Sequence, residues 1–142
     1  MEKNKKKIFG IGLNKTGTKS LGDFFRLMDY KYYCKPSKEN ILISKTNINI
    51  MYQIANEYEI FQDWPWPLIY KELFYKYPKS KFILTLRDNE QEWFNSLVNH
   101  SKRSGPTAQR KIIYGHLIPN DRNKEDHIKI YKKHNSEVIK FF

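Results

Sequence analysis

The chain has 142 residues, the length of one domain and a small one for a three-layer α/β fold. Hydrophobic residues make up 39% and aromatic residues 15%, which excludes wholesale disorder. The net charge of +11 comes mainly from lysine and fits either a generic solvated surface or an anion-binding one. The single cysteine, Cys34, excludes an internal disulfide and favours a reducing compartment. No apolar run reaches the roughly 20 residues of a membrane helix, so we expect a cytoplasmic protein without a membrane partner.

The first half of the chain alternates predicted strands with helices. A compact apolar run ended by glycine predicts a buried strand, and the segment after it has apolar residues at helical spacing. Residues 38–58 fit either helix or strand, and helix is favoured from about Asn47 onward. The predicted strands are Lys7–Leu13, Tyr30–Cys34 and Glu59–Asp63, and Thr18–Asp29 is the predicted helix between the first two.

The second half continues the alternation. Strands that alternate with helices predict an α/β fold, in which a central parallel sheet is flanked by helices. The apolar runs Ile8–Gly12 and Phe82–Leu86 lack alternation, which predicts neighbouring inner strands buried on two faces. Residues 104–123 are predicted to be an irregular connection. The predicted strand is Lys81–Arg87, and the predicted helices are Leu68–Tyr77, Glu90–Ser101 and Glu125–Phe142.

Three polar signals follow predicted strands: the loop after Leu13, Asp63 and Arg87. In open α/β sheets, ligands bind beyond the carboxyl ends of the strands. We therefore expect these three signals to converge on one ligand site. Arginine is scarce in this lysine-rich chain, so an arginine at a strand end carries more information than a lysine does.

The segment Gly12–Ser20 follows a strand and opens a helix, so a phosphate there meets free N–H groups and the positive end of the helix dipole. It nearly matches the pattern G-x-x-x-x-G-K-[ST] of nucleotide-hydrolysing P-loops. Thr18 stands where that pattern needs its lysine, and the charge is found in front of the glycine, at Lys15. The segment predicts an anion-binding loop with altered chemistry.

The run Lys15-Thr16-Gly17-Thr18 resembles the 5′-phosphosulfate loop of sulfotransferases that use 3′-phosphoadenosine 5′-phosphosulfate (PAPS). The run from Phe82 to Asp88, followed by a helix with Trp93 and Ser96, is similar to the 3′-phosphate motif of that family. Short matches elsewhere extend the resemblance over about residues 7–142. They are Asp63-Trp-Pro65, Glu72-Leu73, Tyr77-Pro78 and Tyr131 with His134-Asn135.

The resemblance implies a three-layer P-loop-like fold and transfer of a sulfuryl group from PAPS to a hydroxyl or amine acceptor. Arg87 would bind the 3′-phosphate with Ser96, or with Asn95 as the alternative partner. Asp63 would be the general base, and the alternative is that it caps the turn or helix after it. Lys15 would neutralise the charge that develops on the leaving phosphate. The implied 5′-phosphosulfate ligands are Lys15, Thr16, Gly17, Thr18, Lys19 and Ser20.

These expectations define one sulfotransferase-like domain over residues 1–142, shortened at its C-terminus relative to the family. Its partners would be PAPS, its product 3′-phosphoadenosine 5′-phosphate (PAP) and an acceptor that the sequence does not name. No residue cluster has metal-ligand spacing, so no metal is expected. Two other functions remain open: a nucleotide or small-molecule kinase with a degenerate P-loop, and a non-catalytic basic nucleic-acid-binding protein.

Overall fold

The computed structural model describes residues 6–142, and the basic start of the chain over residues 1–5 lies outside the described residues. The chain divides into two compact units, the first ending at Thr85 and the second beginning at Leu86. The expectation of a single domain over residues 1–142 stays a prediction. Within the described residues, no helix is both long and apolar enough to span a membrane.

The first unit is built on a parallel sheet. Within residues 6–142 the sheet has four strands in the order β2-β3-β1-β4, and every neighbouring pair runs parallel. The predicted α/β class with a central parallel sheet is therefore confirmed, and β1 and β4 are neighbours as expected. The strands are β1 (Ile8–Gly10), β2 (Tyr32–Tyr33), β3 (Ile60–Phe61) and β4 (Lys81–Ile83).

Helices connect successive strands of this sheet. The first of these helices packs against β2 and β3, and the second and third helices pack against each other. The ambiguous residues 38–46 are helical because the Ser37 hydroxyl caps the helix, accepting the N–H of Asn40 at 3.1 Å. The helices are α1 (Thr18–Leu27), α2 (Lys38–Thr46), α3 (Ile48–Glu57) and α4 (Tyr70–Lys76), with a short 3₁₀ helix at Trp66–Leu68.

Aromatic rings form the core against the sheet. Phe9 on β1 stacks on Phe61 of β3 with centroids 4.7 Å apart and on Phe82 of β4 at 5.4 Å. Trp66 lies 4.6 Å from Phe61 and is fully buried, and Trp64 is buried as well. Both tryptophans therefore have packing roles, and this dense ring cluster fixes the strands whose ends carry the candidate site.

One sequence-based expectation for this unit is wrong, and one helix face is more exposed than its pattern suggests. Strand Phe82–Leu86 was predicted to be an inner strand, but β4 lies at the edge of the sheet and its pairing ends at Ile83. The predicted helix between the first two strands is present as α1, but Phe24 and Met28 on its apolar face are each more than half exposed. The face of α1 that packs inward instead carries Gly22, whose missing side chain admits a close neighbour.

The second unit is helical over its described residues and contains α5 (Glu90–Ser104), α6 (Ala108–Tyr114) and α7 (Lys124–Phe141). Helices α5 and α7 pack together through Trp93 and Tyr131, whose rings stack 4.4 Å apart. The prediction of irregular structure over residues 104–123 is wrong for α6. Its caps explain it, because the Thr107 hydroxyl accepts the N–H of Arg110 and Gly115 ends the helix with a φ of 80°.

Candidate functional site

The predicted anion loop lies directly on the ends of β1 and β4. A Cβ on Gly12 would lie 2.5 Å from the carbonyl oxygen of Thr85, so only glycine admits this approach. The Thr16 hydroxyl donates to the carbonyl of Leu13 at 2.6 Å and lies 2.7 Å from the hydroxyl of Thr85. The Thr16 side chain, predicted as a ligand, is therefore committed to holding the loop, which leaves its backbone for an anion.

The loop has the backbone geometry of an anion cradle. Lys15 and Gly17 both have left-handed backbones, with φ values of 65° and 87°. A left-handed residue other than glycine is uncommon and strained, and such residues concentrate at functional sites. Helix α1 begins at Thr18 with neither a side-chain cap nor an acidic residue in its first turn among residues 6–142. Within the described residues, no side chain therefore caps its first N–H groups.

The predicted side chains of this loop occupy a single turn. Lys19 and Ser20 are exposed at the start of α1, Lys15 is half-buried, and Thr18 is buried. The loop and the start of α1 thus carry two lysines and two hydroxyl residues next to a helix N-terminus, a set that suits a phosphate or sulfate group.

Asp63 lies at the end of the neighbouring strand β3, also with a left-handed backbone at a φ of 64°. Its Oδ1 accepts the N–H of Trp64 at 2.8 Å. Burial raises the pKa of the Asp63 carboxyl, while this hydrogen bond and the charge of Lys15 act in the lowering direction. The 3₁₀ helix that follows has Pro65 at its N-cap and no side-chain cap, so Asp63 bonds a turn amide rather than a helix end.

In the second unit, Arg87 is held at two points. Its backbone N–H donates to the hydroxyl of Tyr131 at 3.1 Å, and its Nη2 donates to Oγ of Ser96 at 3.3 Å. Asn95 instead accepts a hydrogen bond from Gln91 and is exposed. Of the two partners left open by the sequence, the structure therefore brings Ser96 to Arg87.

A cleft of about 530 Å³ adjoins Arg87 within the second unit. Residues 86–90 line it on one side, and α7 lines it with Tyr131, Asn135 and Ile139 among others. Oδ1 of Asn135 is buried and has no hydrogen-bond partner within residues 6–142. The cleft combines cationic, acidic, polar and apolar side chains, which suits an amphiphilic ligand.

Sequence reasoning missed the contact of Thr85 with the loop, and it named Tyr131 in the family resemblance without its contact with Arg87. Thr85 follows an apolar strand and carries no distinguishing signal of its own. Tyr131 lies on the same helix as His134 and Asn135, which belong to the resemblance, and it is buried. Its helical spacing from these residues was the available signal. No group of three or more His, Cys, Asp or Glu side chains that suits a metal occurs within residues 6–142.

A parallel sheet whose first strand leads through a glycine-containing loop into a helix defines an α/β protein of the P-loop-like class. A family model described as a sulfotransferase domain matches residues 7–142. The chain therefore belongs to the sulfotransferase domain family, which confirms the resemblance seen in the sequence. A search of curated proteins gives no match.

Proposed function

We propose that this sulfotransferase-domain protein transfers a sulfuryl group from PAPS to a hydroxyl or amine acceptor. The proposal rests on one observation. A loop that carries Lys15 follows β1, and a carboxylate, that of Asp63, follows the neighbouring strand β3. The charge of Lys15 acts on the pKa of Asp63, so the two groups share one electrostatic environment. Family membership supports the same reaction class.

The donor would be held by its two anionic ends. In the first unit, the N–H groups at the start of α1 and the side chains of Lys15, Lys19 and Ser20 would bind the 5′-phosphosulfate. In the second unit, the planar guanidinium of Arg87 would bind the 3′-phosphate, and the Ser96 hydroxyl would add a further donor. The hydrogen bond between Arg87 and Ser96 supports the second of these assignments.

The transfer step requires a base and a cation. The acceptor O–H or N–H proton passes to the Asp63 carboxylate as the acceptor atom bonds to sulfur. The bond from sulfur to the bridging phosphate oxygen breaks, and its electron pair stays on that oxygen as PAP forms. Lys15 neutralises the negative charge that develops there, so its contribution is largest in the transition state.

Conversion of PAPS to PAP tests the proposal, with acceptor-free hydrolysis as the first readout. Lys15→Ala removes one preorganised donor. It should therefore raise the activation free energy by about 2.7–4 kcal/mol and lower turnover accordingly. Lys19→Ala is the matched control, because it removes an exposed cation of the same loop and should affect binding more than turnover. Wild-type protein that binds PAP without converting PAPS would contradict the catalytic part of the proposal.

A cytoplasmic location belongs to the same proposal and is supported by the single cysteine.

The kinase and nucleic-acid functions predict different ligands. A kinase requires ATP with Mg²⁺, and the loop has Thr18 in place of the P-loop lysine. A nucleic-acid-binding protein would be retained on heparin, released by modest salt and indifferent to PAP.

A further inference from the structure

A second group of polar side chains follows the ends of β2 and β3 in the first unit. These strands are parallel and in register, so Cys34 and Gln62 each come next along neighbouring strands. Nε2 of Gln62 lies 2.6 Å from the hydroxyl of Tyr32 and 3.0 Å from Sγ of Cys34. Asp63, the proposed base, is the next residue after Gln62. We call Tyr32, Cys34 and Gln62 the β2–β3 cluster.

Gln62 is the fixed member of this cluster. It is only 2% exposed, and its Nε2 donates to both other members of the cluster. Its Oε1 is buried without a hydrogen-bond partner within residues 6–142. A buried amide that leaves one acceptor unsatisfied is costly and calls for a functional explanation. Tyr32 and Cys34 are half-buried, so these two residues present the cluster to solvent.

The helix that opens the proposed donor loop touches the same cluster. A Cβ added to Gly22 of α1 would lie 2.9 Å from Cζ of Tyr32 and 3.0 Å from its hydroxyl oxygen. Only glycine therefore allows α1 to rest on this ring. The β2–β3 cluster thus contacts the donor-loop helix through Tyr32 and adjoins the proposed base through Gln62, where an acceptor would have to bind.

The cluster is polar but uncharged at neutral pH. Burial raises the pKa of Tyr32 to about 12, and a hydrogen bond with Cys34 acts in the same direction. Burial also raises the pKa of the Cys34 thiol, and the nearby charge of Asp63 adds to the effect. Both groups therefore keep their protons beside a carboxylate, and an acceptor would meet neutral hydrogen-bonding groups there.

We infer that Tyr32 and Cys34, oriented by Gln62, form the acceptor-binding wall beside Asp63, and that this wall accepts an uncharged, hydroxyl-bearing molecule. The inference rests on the proposed function and names the substrate class of that same site. Neutral partners solvate a hydroxyl well, whereas a charged acceptor would find no opposite charge on Tyr32, Cys34 or Gln62. A cationic amine would pair with the Asp63 carboxylate and would have to lose its proton before its nitrogen could attack sulfur.

Chemical modification tests the wall without mutation, because Cys34 is the only cysteine in the sequence. Methyl methanethiosulfonate adds a methylthio group to the Cys34 sulfur, and dithiothreitol removes it. We expect the modified protein to lose at least about tenfold in kcat/KM for sulfation of 2-naphthol while keeping its stabilisation by PAP. Activity should return with dithiothreitol. Unchanged transfer by fully modified protein would overturn the inference.

A variant and a set of acceptors complete the test. Tyr32→Phe keeps the ring against Gly22 but removes the hydroxyl, so KM for 2-naphthol should rise several-fold with PAP binding unchanged. Tyr58→Phe is the matched control and should have no effect.

A comparison of acceptors tests the substrate class. Transfer to 2-(2-naphthyl)ethylamine or to 6-hydroxy-2-naphthoate as fast as to 2-naphthol would overturn the inference that the acceptor is uncharged, as would no transfer to 2-naphthol. If the unmodified protein does not bind PAP, the proposed function fails together with the inference, whereas PAP binding with no effect of modification contradicts the inference alone.

Discussion

Lys15 and Asp63 share an unusual backbone conformation and one electrostatic environment. Their φ values are 65° and 64°, both left-handed, and each follows a different strand of the same sheet. The charge of Lys15 acts to lower the pKa of a carboxyl that burial raises. Strained backbone conformations of this kind are concentrated at functional sites, where they hold a side chain in a fixed position. The pairing gives the proposed reaction its leaving-group cation and its base.

Replacement of Lys15 by glycine should separate stability from function. Glycine adopts a left-handed backbone without strain, so Lys15→Gly should raise the free energy of unfolding by about 1 kcal/mol. The same change removes the cation and should abolish most PAPS turnover. Urea denaturation and a PAP-release assay measure the two effects. Lys15→Ala removes the cation without relieving the backbone strain. Equal free energies of unfolding for Lys15→Gly and Lys15→Ala would therefore contradict the strain argument.

Asp63→Asn should leave the fold intact and remove transfer. Asparagine keeps the oxygen that accepts the Trp64 N–H, and it avoids the cost of burying a charge. Loss of a general base typically lowers the rate by about 10²–10⁴-fold. Melting temperature and PAP affinity should stay close to those of the wild type. Lower stability with spared activity would show that Asp63 has a structural role and that the base lies elsewhere.

The pH dependence of the Asp63 carboxyl follows from the raised pKa. The folded state binds more protons than the unfolded state between the ordinary value of 3.8 and the raised value, so this group's contribution to stability falls as pH rises through that window. Catalysis needs the ionised form and has the opposite trend. We expect kcat/KM to rise with pH along an acidic limb centred above 3.8. A limb centred at or below that value would contradict the proposed role for Asp63.

Tyr131 should affect donor affinity through Arg87. Its hydroxyl accepts the Arg87 N–H, and its ring stacks on the buried Trp93. Tyr131→Phe keeps the stack and removes the hydrogen bond, whose net value is about 1 kcal/mol, or about fivefold in affinity. Titration calorimetry should show weaker binding of PAP but unchanged binding of AMP, which lacks the 3′-phosphate. Tyr114→Phe, a second buried tyrosine beside Trp93, is the control.

The histidine His127 should make the second unit sensitive to acid. It is fully buried, and its Nδ1 lies 2.8 Å from the carbonyl oxygen of Asn123. Burial lowers its pKa, so the unfolded chain binds the proton more readily and stability falls as pH drops below about 6.5 towards the lower folded value. His127→Gln should flatten the dependence of melting temperature on pH in that window. His134→Gln should not, and a flat wild-type profile would contradict the account.

The sequence predicted the architecture better than the details of the site. The strand–loop–helix at the start of the chain was readable because glycine and hydroxyl residues follow an apolar strand and open a helix, as Gly17 and Thr18 do here. Helix α6 was missed although Thr107 and Gly115 stand at its two caps, because the segment between them has only seven residues. The edge position of β4 was not readable, since an apolar run reports burial and not strand order.

Contacts between residues distant in the chain could not be predicted from the sequence. The hydrogen bond from Arg87 to Tyr131 spans 44 positions, and the contact of Gln62 with Cys34 spans 28. The left-handed backbone of Lys15 was equally hidden, because lysine normally avoids that region. These features depend on tertiary packing, which overrides local preference at functional sites.

Comparison of PAP with ATP–Mg²⁺ as stabilising ligands tests the central claim most directly. A ligand that binds only the folded state at 100 times its Kd adds about 2.7 kcal/mol to the free energy of unfolding. We expect PAP to raise the melting temperature of the wild type more than ATP–Mg²⁺ does, and Arg87→Ala to lose most of that shift. Arg87→Lys should not restore it, because a point charge cannot replace a planar fork. A larger shift with ATP–Mg²⁺, or an Arg87→Ala variant that PAP stabilises as well as the wild type, would contradict the proposed donor site.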